Sequence, residues 1–543
     1  MAVGSRGGAV CCRARDLAAA APLPRIRRRA GRQSHRAAVM PWWSMAVLVF
    51  GLNFALWGTV GLCRLLDTGA GRLSRWRFAR RFSGIREVGY TSDAYPGPDP
   101  GGADPSRTTG RPDRRRGLTV EDVAVLIPAH NEAEVIAESL AAITELIPMW
   151  NVHVVSDGST DNTVAIARSA GAKVYQTKHN LGKAGALQDA IARFRLVERF
   201  PVVMLLDADT RVEPGYFAAA LPLFDDPEVV AVAGCVRTAA DRALSLVGQL
   251  LVGHRRRIYC IGQRVLKFGQ TWRRFNATHI VPCFASLYRT DVLPHINMNP
   301  PGLVIEDFNM TFEVYQKRLG KVAFSLSAIA VTQDPDTFHD YVKQTRRWAL
   351  GFWQTVRRHR LRANLFSAML LLLLLELVTS SLIFLILPVL LLILVMPELY
   401  GGAAAWPGFG TVYTLTAAHM KLSTIFFGVV LPDLVITVIV VLLERKPSML
   451  LFAAFFPVMR VIDAALGLYA IPLAFRSRSN GRWKSPARQL SPVPLEPLAP
   501  LPPELAATQP LPMIGAASTF VPDPNIERLV SGRLTGDGSD ASR

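Results

Sequence analysis

Pro201-Val-Val-Met-Leu-Leu-Asp207-Ala-Asp209-Thr-Arg-Val-Glu-Pro-Gly215 is the stretch on which the fold turns. Its apolar run, Val202 to Leu206, has the length and β-branched content of a buried parallel strand. Two carboxylates at i and i+2 follow at once, and a Pro-Gly break closes the segment. In an open α/β sheet, ligands bind beyond the carboxyl ends of the strands, where Asp207 and Asp209 fall. An oxygen-only pair suits a hard cation that keeps other positions for phosphate oxygens. Taken alone, the pair is equally well read as a capped turn, so its neighbours must decide.

Upstream, strand and helix alternate. Val123 to Ile127 reads as a short buried strand, followed by Pro128-Ala-His-Asn-Glu132 and a helical pattern through Leu146. Val152 to Ser156 is the next strand and ends in Asp157-Gly-Ser-Thr-Asp161. Lys173 to Gln176 is a third, and Asn180-Leu-Gly-Lys183-Ala-Gly-Ala-Leu187 opens a helix before the aspartate strand. This repetition predicts a parallel sheet with right-handed crossovers, its polar motifs gathered on one rim.

The 543 residues exceed one ordinary domain. Mean hydropathy of +0.24 and 50% hydrophobic residues imply membrane segments beside a folded domain. The net charge of +19 is explained by positive-inside flanks and by anionic lipid or nucleotide diphosphate. No zinc-finger or helix-turn-helix pattern accompanies it, so nucleic acid is not an expected partner. The six cysteines show no metal-binding spacing and read as reduced thiols of a cytoplasm-facing protein.

The expected organisation is a disordered basic tail (1–40), a transmembrane helix (41–63) and a linker (64–118). An α/β domain (119–335) follows, then an interfacial amphipathic helix (336–362), about three transmembrane helices within 363–476, and a disordered Pro-rich tail (477–543). Arg460 and Asp463, inside the last apolar segment, must face the protein interior, a cavity or each other. Met40 or Met45 is an alternative start. The parity of the spans stays open, with residues 402–421 as a further possible span.

Each remaining motif has a bland and a functional reading. Asp157 with Gly158 can meet a base or ribose, or form a turn capped by Ser159 or Thr160. Lys183 at a helix start can meet phosphate or simply be solvated. Glu306-Asp307 can open a helix favourably, or supply a general base for a hydroxyl. In Gln344-Thr-Arg-Arg347-Trp348, Arg347 can face a leaving diphosphate and Trp348 a sugar ring, or both can belong to an ordinary interfacial face. His130 and His254 read as structural or surface residues.

The ordered set Asp-Gly-Ser, Lys, Asp-x-Asp, Glu-Asp, Gln-x-x-Arg-Trp over residues 157–348, followed by apolar spans, resembles the family 2 glycosyltransferases. Within them it resembles the membrane-embedded branch of hyaluronan, chitin, cellulose and poly-N-acetylglucosamine synthases. The resemblance implies a GT-A-like, Rossmann-type mixed sheet domain in a multi-pass membrane protein with the catalytic domain cytoplasmic. It implies that Glu132 and Asp157 hold the uridine of a UDP-sugar, that Lys183 lies near the diphosphate, and that Asp207 and Asp209 hold Mg²⁺ or Mn²⁺. Asp307 would be the inverting base, while Glu306, Gln344, Arg347 and Trp348 would shape the acceptor and diphosphate end. Ile305 stands where the family often has Thr or Gly. Bacterial cellulose synthase gating-loop and cyclic-di-GMP patterns are not recognisable, and Asn180 to Leu187 leans towards N-acetylglucosamine. The implied reaction elongates a β-linked polysaccharide; the alternative is a single transfer onto a membrane lipid, since ceramide glucosyltransferase-like proteins also carry Gln-x-x-Arg-Trp.

Overall fold

The computed structural model describes residues 39–82, 117–239 and 244–477. The expected tails and most of the expected linker lie outside these residues.

Ten strands are present among them: β1 Val123–Ala129, β2 Val152–Ser156, β3 Lys173–Gln176, β4 Val202–Leu206, β5 Arg211–Val212, β6 Val229–Thr238, β7 Thr271–Trp272, β8 Phe275–Asn276, β9 Ala285–Arg289 and β10 Lys321–Thr332. Eight form one sheet in the order β3-β2-β1-β4-β9-β6-β10-β5, and β7 and β8 form a separate ribbon. β3, β2, β1 and β4 are mutually parallel, as the strand–helix repeats predict. β9 runs antiparallel to both β4 and β6, so the sheet is mixed rather than wholly parallel. Every side chain of β1, β2 and β4 is buried, which explains why their sequences are continuous apolar runs rather than alternating ones. One layer of core packs Ile136, Leu140 and Ile143 on Val125, Ile127 and Met204. The other packs Leu187, Ala190 and Ile191 on Leu126, Val203 and Leu205. Each such aliphatic side chain removed from water contributes roughly 1.5–3 kcal/mol. The α/β architecture with a mixed sheet, followed by apolar helices, is the fold class expected from sequence.

Among the described residues, three helices are long and apolar enough to cross a membrane: Leu365–Leu399, Leu422–Glu444 and Pro447–Arg476. The N-terminal segment, expected as one span over 41–63, is instead two helices, Trp42–Phe50 and Leu52–Thr68, bent by 77°. Gly51 makes the break with φ +82°, a backbone conformation that side chains resist. Glu376 caps the second half, accepting hydrogen bonds from the Asn53 backbone N–H at 2.9 Å and its side-chain amide at 2.7 Å. Arg460 donates to the Val49 carbonyl at 3.3 Å on the other side of the break. The helix continues to Phe82, so the expected linker boundary at residue 64 is too early. The reason is tertiary: Arg64 donates to the Phe268 carbonyl at 2.6 Å and to Thr271 Oγ1 at 3.1 Å, tying the segment to the domain.

The charges inside the apolar helices are accounted for. Asp433 is paired with Arg257, and with Arg460 at 3.3 Å. Asp463 accepts from Tyr341 Oη at 2.6 Å and lies 2.9 Å from His254 Nε2. Arg460 and Asp463 thus face the protein interior and find separate partners there, not each other. His254 is buried. Residues 409–419 form a helix of 11 residues, roughly 16 Å long and too short to span.

Candidate active site

Parallel pairing of β2, β1 and β4 brings their carboxyl ends to one rim. Glu132 follows β1, Asp157 follows β2 and Asp207 with Asp209 follow β4. Asp157 is fully buried and organises the loop before Lys183. Its carboxylate accepts from the backbone N–H groups of Leu181 at 2.7 Å and Gly182 at 2.8 Å, and from Thr177 Oγ1 at 3.1 Å. Gly182 then sits at φ +82° as the residue before the helix Lys183–Arg193. The N-cap of the helix after Asp157 is Asn162 rather than Ser159 or Thr160, and the neighbouring Asp161 carboxylate accepts from the Thr163 N–H at 3.0 Å. Buried Glu132 is anchored through its own N–H, which donates to Thr163 Oγ1 at 2.9 Å.

Lys183 is not a solvated lysine. Its Nζ lies 2.7 Å from Asp207 Oδ1 and 3.2 Å from Glu306 Oε1, joining the aspartate strand to the Glu306-Asp307 pair far along the chain. Burial works against its charge, but Asp207, Glu306 and Asp307 outweigh burial and hold the ammonium well above its usual range. Burial raises Asp207 despite Lys183, with Asp209 adding to the rise. Burial also opposes the charge on Glu306, yet Lys183 keeps that carboxyl below its ordinary value. Asp307 opens the helix Asp307–Gln316. Burial, then the neighbouring Glu306, push its carboxyl up to about 7. Two adjacent carboxyls with values driven apart suit separate charge-holding and proton-accepting roles.

Asp207 and Asp209 offer carboxylate oxygens only, and Thr210 Oγ1 donates to Asp209 Oδ1 at 3.3 Å. This donor set fits Mg²⁺ or Mn²⁺. Lys183 on Asp207 shows that the position already attracts positive charge.

The helix Phe338–Arg358 carries Gln344, Arg347 and Trp348. Arg347 is exposed, yet its charge helps to lower Glu306. Arg255, which sequence reading passed over as part of a basic helix, holds the other two. It donates to Gln344 Oε1 at 3.2 Å and its guanidinium lies 4.4 Å from the Trp348 ring centroid. Trp353 Nε1 donates to the Gly467 carbonyl at 3.1 Å, fastening this helix to the last membrane helix. Cys283 was also missed: it is fully buried, and its sulfur and one carboxylate oxygen each of Glu306 and Asp307 all lie within 4.8 Å of one another. No spacing rule marks it, because contact with Asp307 is made only through the fold.

Gly351 of the Gln344 helix packs directly on Ile305. A Cβ there would lie 2.8 Å from Ile305 Cβ and 2.9 Å from its Cγ1. Gly351→Ala is therefore expected to cost about 1–3 kcal/mol by overpacking, and to lower kcat by shifting Ile305 and with it Glu306 and Asp307. Thermal unfolding and single-turnover rates check this; an unchanged kcat would show that the contact does not position the pair.

Residues 124–296, from β1 through β9, match the model described as Glycosyl transferase family 2. These residues are a family 2 glycosyltransferase domain. The chain is 28% identical over 260 residues to the uncharacterized glycosyltransferase YaiP of Escherichia coli (strain K12), covering 46% of this chain and 60% of that one. It is also 28% identical over 242 residues to the probable glycosyltransferase YdaM of Bacillus subtilis (strain 168), covering 42% and 54%. It thus spans somewhat over half the length of these relatives. A mannosyltransferase, PcManGT from Pyrobaculum calidifontis in complex with GDP-Man and Mn²⁺, superposes with a TM-score of 0.40 at 18% identity, covering 76% of this chain and 99% of that one. In the family 2 domain of this chain, the aspartate strand β4 lies between β1 and β9 in the middle of the sheet.

Proposed function

We propose that the chain is an inverting glycosyltransferase that moves N-acetylglucosamine or glucose from a UDP-sugar to the end of a growing β-linked polysaccharide. Transfer takes place at the cytoplasmic membrane face, with export through the chain's own spans. The observation that supports this reading is the Lys183 bridge, which joins Asp207 and Glu306 across the fold.

In this reading Glu132 and Asp157 hold the uridine end, Asp157 through the loop it orders. Asp207 and Asp209 would hold Mg²⁺ or Mn²⁺, and such an ion supplies neutralisation of charge developing on the departing diphosphate. Lys183 and Arg347 add fixed positive charge at the same end. Asp307 accepts the proton of the acceptor hydroxyl as its oxygen bonds to the anomeric carbon. The bond to the diphosphate breaks on the opposite face, giving inversion. A carboxyl pushed up to about 7 is a better proton acceptor than an ordinary aspartate and remains partly ionised at neutral pH. Trp348, backed by Arg255, gives the acceptor sugar a flat apolar platform that excludes water.

A second reading, a single transfer onto a membrane lipid, is supported by the Trp353 contact that fastens the Gln344 helix to the last apolar helix. Membranes containing the protein, given labelled UDP-sugars one at a time with Mg²⁺ or Mn²⁺, separate the two. A long alkali-stable polymer supports the first reading and a single labelled lipid the second; no transfer and no UDP binding overturns both. Asp209→Ala is expected to weaken metal-dependent UDP binding by about tenfold or more, the scale of one charge-assisted contact. Equal affinity with and without metal, in wild type and variant, would remove the metal assignment.

A further inference from the structure

A second polar cleft lies where the sheet domain meets the membrane helices. It is partly open, with a cavity of about 40 Å³, and is lined by Arg237, Arg256, Gln263, Arg264 and Glu444 among others. Arg237 belongs to β6, and Arg256 to the helix Leu246–Ile261. Gln263 and Arg264 lie on that helix's π-helical continuation Gly262–Lys267. Glu444 ends the membrane helix Leu422–Glu444. None of these residues belongs to the glycosyltransferase site described above.

Three guanidiniums thus face one carboxylate, and two of them are already engaged. Arg237 pairs with Glu213, and Arg264 reaches Glu444 only at 3.7 Å. Arg256 is half-buried, and its guanidinium has no hydrogen bond or ion pair to any described residue, only the longer-range field of Asp334. A half-buried guanidinium in a cleft loses hydration without gaining a partner, and a phosphate offers what it lacks: charge and paired acceptor oxygens.

The place of the cleft narrows the source of that phosphate. Cys260, on its wall, packs against Val440 and Val441 of the membrane helix, so the cleft opens beside the end of an apolar span. The last turns of that span leave Ile439, Leu442 and Leu443 exposed at 44%, 71% and 48%. A basic cleft at the end of an apolar span is where an anionic lipid headgroup meets such a helix.

We propose that this cleft binds the headgroup phosphate of an anionic membrane phospholipid, with Arg256 and Arg264 on the phosphate. Arg255, the residue before Arg256, holds Gln344 and stacks on Trp348. A bound lipid therefore steadies the helix turn that supports the proposed acceptor platform.

The test uses the full-length chain purified in a neutral detergent and native mass spectrometry with added phosphatidylglycerol or phosphatidylcholine. Its readout is binding, which stands or falls separately from the transferase reading. Wild type is expected to retain phosphatidylglycerol roughly tenfold or more over phosphatidylcholine. Arg256→Gln combined with Arg264→Gln should abolish that preference, and Arg256→Gln alone should reduce it. Because Arg256 has no hydrogen-bond or ion-pair partner among the described residues, the single variant is expected to keep the wild-type Tm and remains a valid comparison. Arg168→Ala, at an exposed arginine elsewhere, should behave as wild type. Equal retention of the two lipids, or undiminished preference in both Arg256 variants, overturns the proposal. Displacement of the lipid by millimolar inorganic phosphate would show a soluble-anion site and overturn the lipid assignment.

Discussion

Asp307→Asn is expected to lower the rate of sugar transfer by about 10²–10⁴-fold, the usual contribution of a positioned general base, while UDP affinity stays near that of wild type. The amide keeps the size of the carboxyl and cannot take the acceptor proton. Donor affinity is spared because Lys183 is held by Asp207 and Glu306 at 2.7 and 3.2 Å, contacts that the substitution leaves in place. Wild type should also show an acidic limb in its pH–rate profile near the value of about 7 to which Asp307 is pushed. The sign follows from the raised value: the carboxyl is ionised and active above it, and protonated and inactive as pH falls through it. Single-turnover transfer from labelled donor between pH 5 and 9, beside calorimetric UDP titration, measures both. Wild-type turnover in the variant would remove Asp307 from its role, and equal loss of UDP binding would make it a structural residue.

Lys183→Met is expected to lower stability by about 3 kcal/mol. That is the lower end of the range for removing one partner of a buried ion pair, because Asp207 keeps part of its solvent contact. Two acidic groups then face each other without their cation. Glu306, which Lys183 holds below its ordinary value, contributes stability that is present above the unfolded value and lost as pH falls through the folded one. The gap in Tm between wild type and variant should therefore be widest near neutrality and shrink on acidification towards pH 4, as the stranded carboxyls protonate. Thermal unfolding in detergent at pH 7 and pH 4 tests this. A gap that does not change with pH would mean that Lys183 acts through packing and not as the counter-ion of the site.

Much of the site is legible in the chain because parallel strands put successive loops on one rim. Once Val123–Ile127, Val152–Ser156 and Val202–Leu206 are read as parallel strands, Glu132, Asp157 and Asp207 must end up on the same edge. The apolar spans are legible for a similarly local reason, since length and lack of charge suffice. What was not legible depends on contacts between distant segments. Arg255 looks like any member of His254-Arg-Arg-Arg257 until helix packing sets it on Trp348. Cys283 carries no motif, and only the antiparallel insertion of β9 beside β4 brings its loop to Asp307.

The same division applies to the membrane part and to the aspartate strand. Sequence by itself determined that Val202–Leu206 is a buried strand followed at once by two carboxylates, because a run of five apolar residues and its polar stop are local properties. It also determined which helices are apolar enough to span. Only the tertiary structure decided that the N-terminal segment breaks at Gly51, where Glu376 and Arg460 satisfy the freed backbone groups from other helices. Only the tertiary structure placed Lys183 between Asp207 and Glu306. A salt bridge joining residues so far apart in sequence leaves no periodicity or spacing to read, and it exists because the sheet and the helix Asp307–Gln316 close on each other.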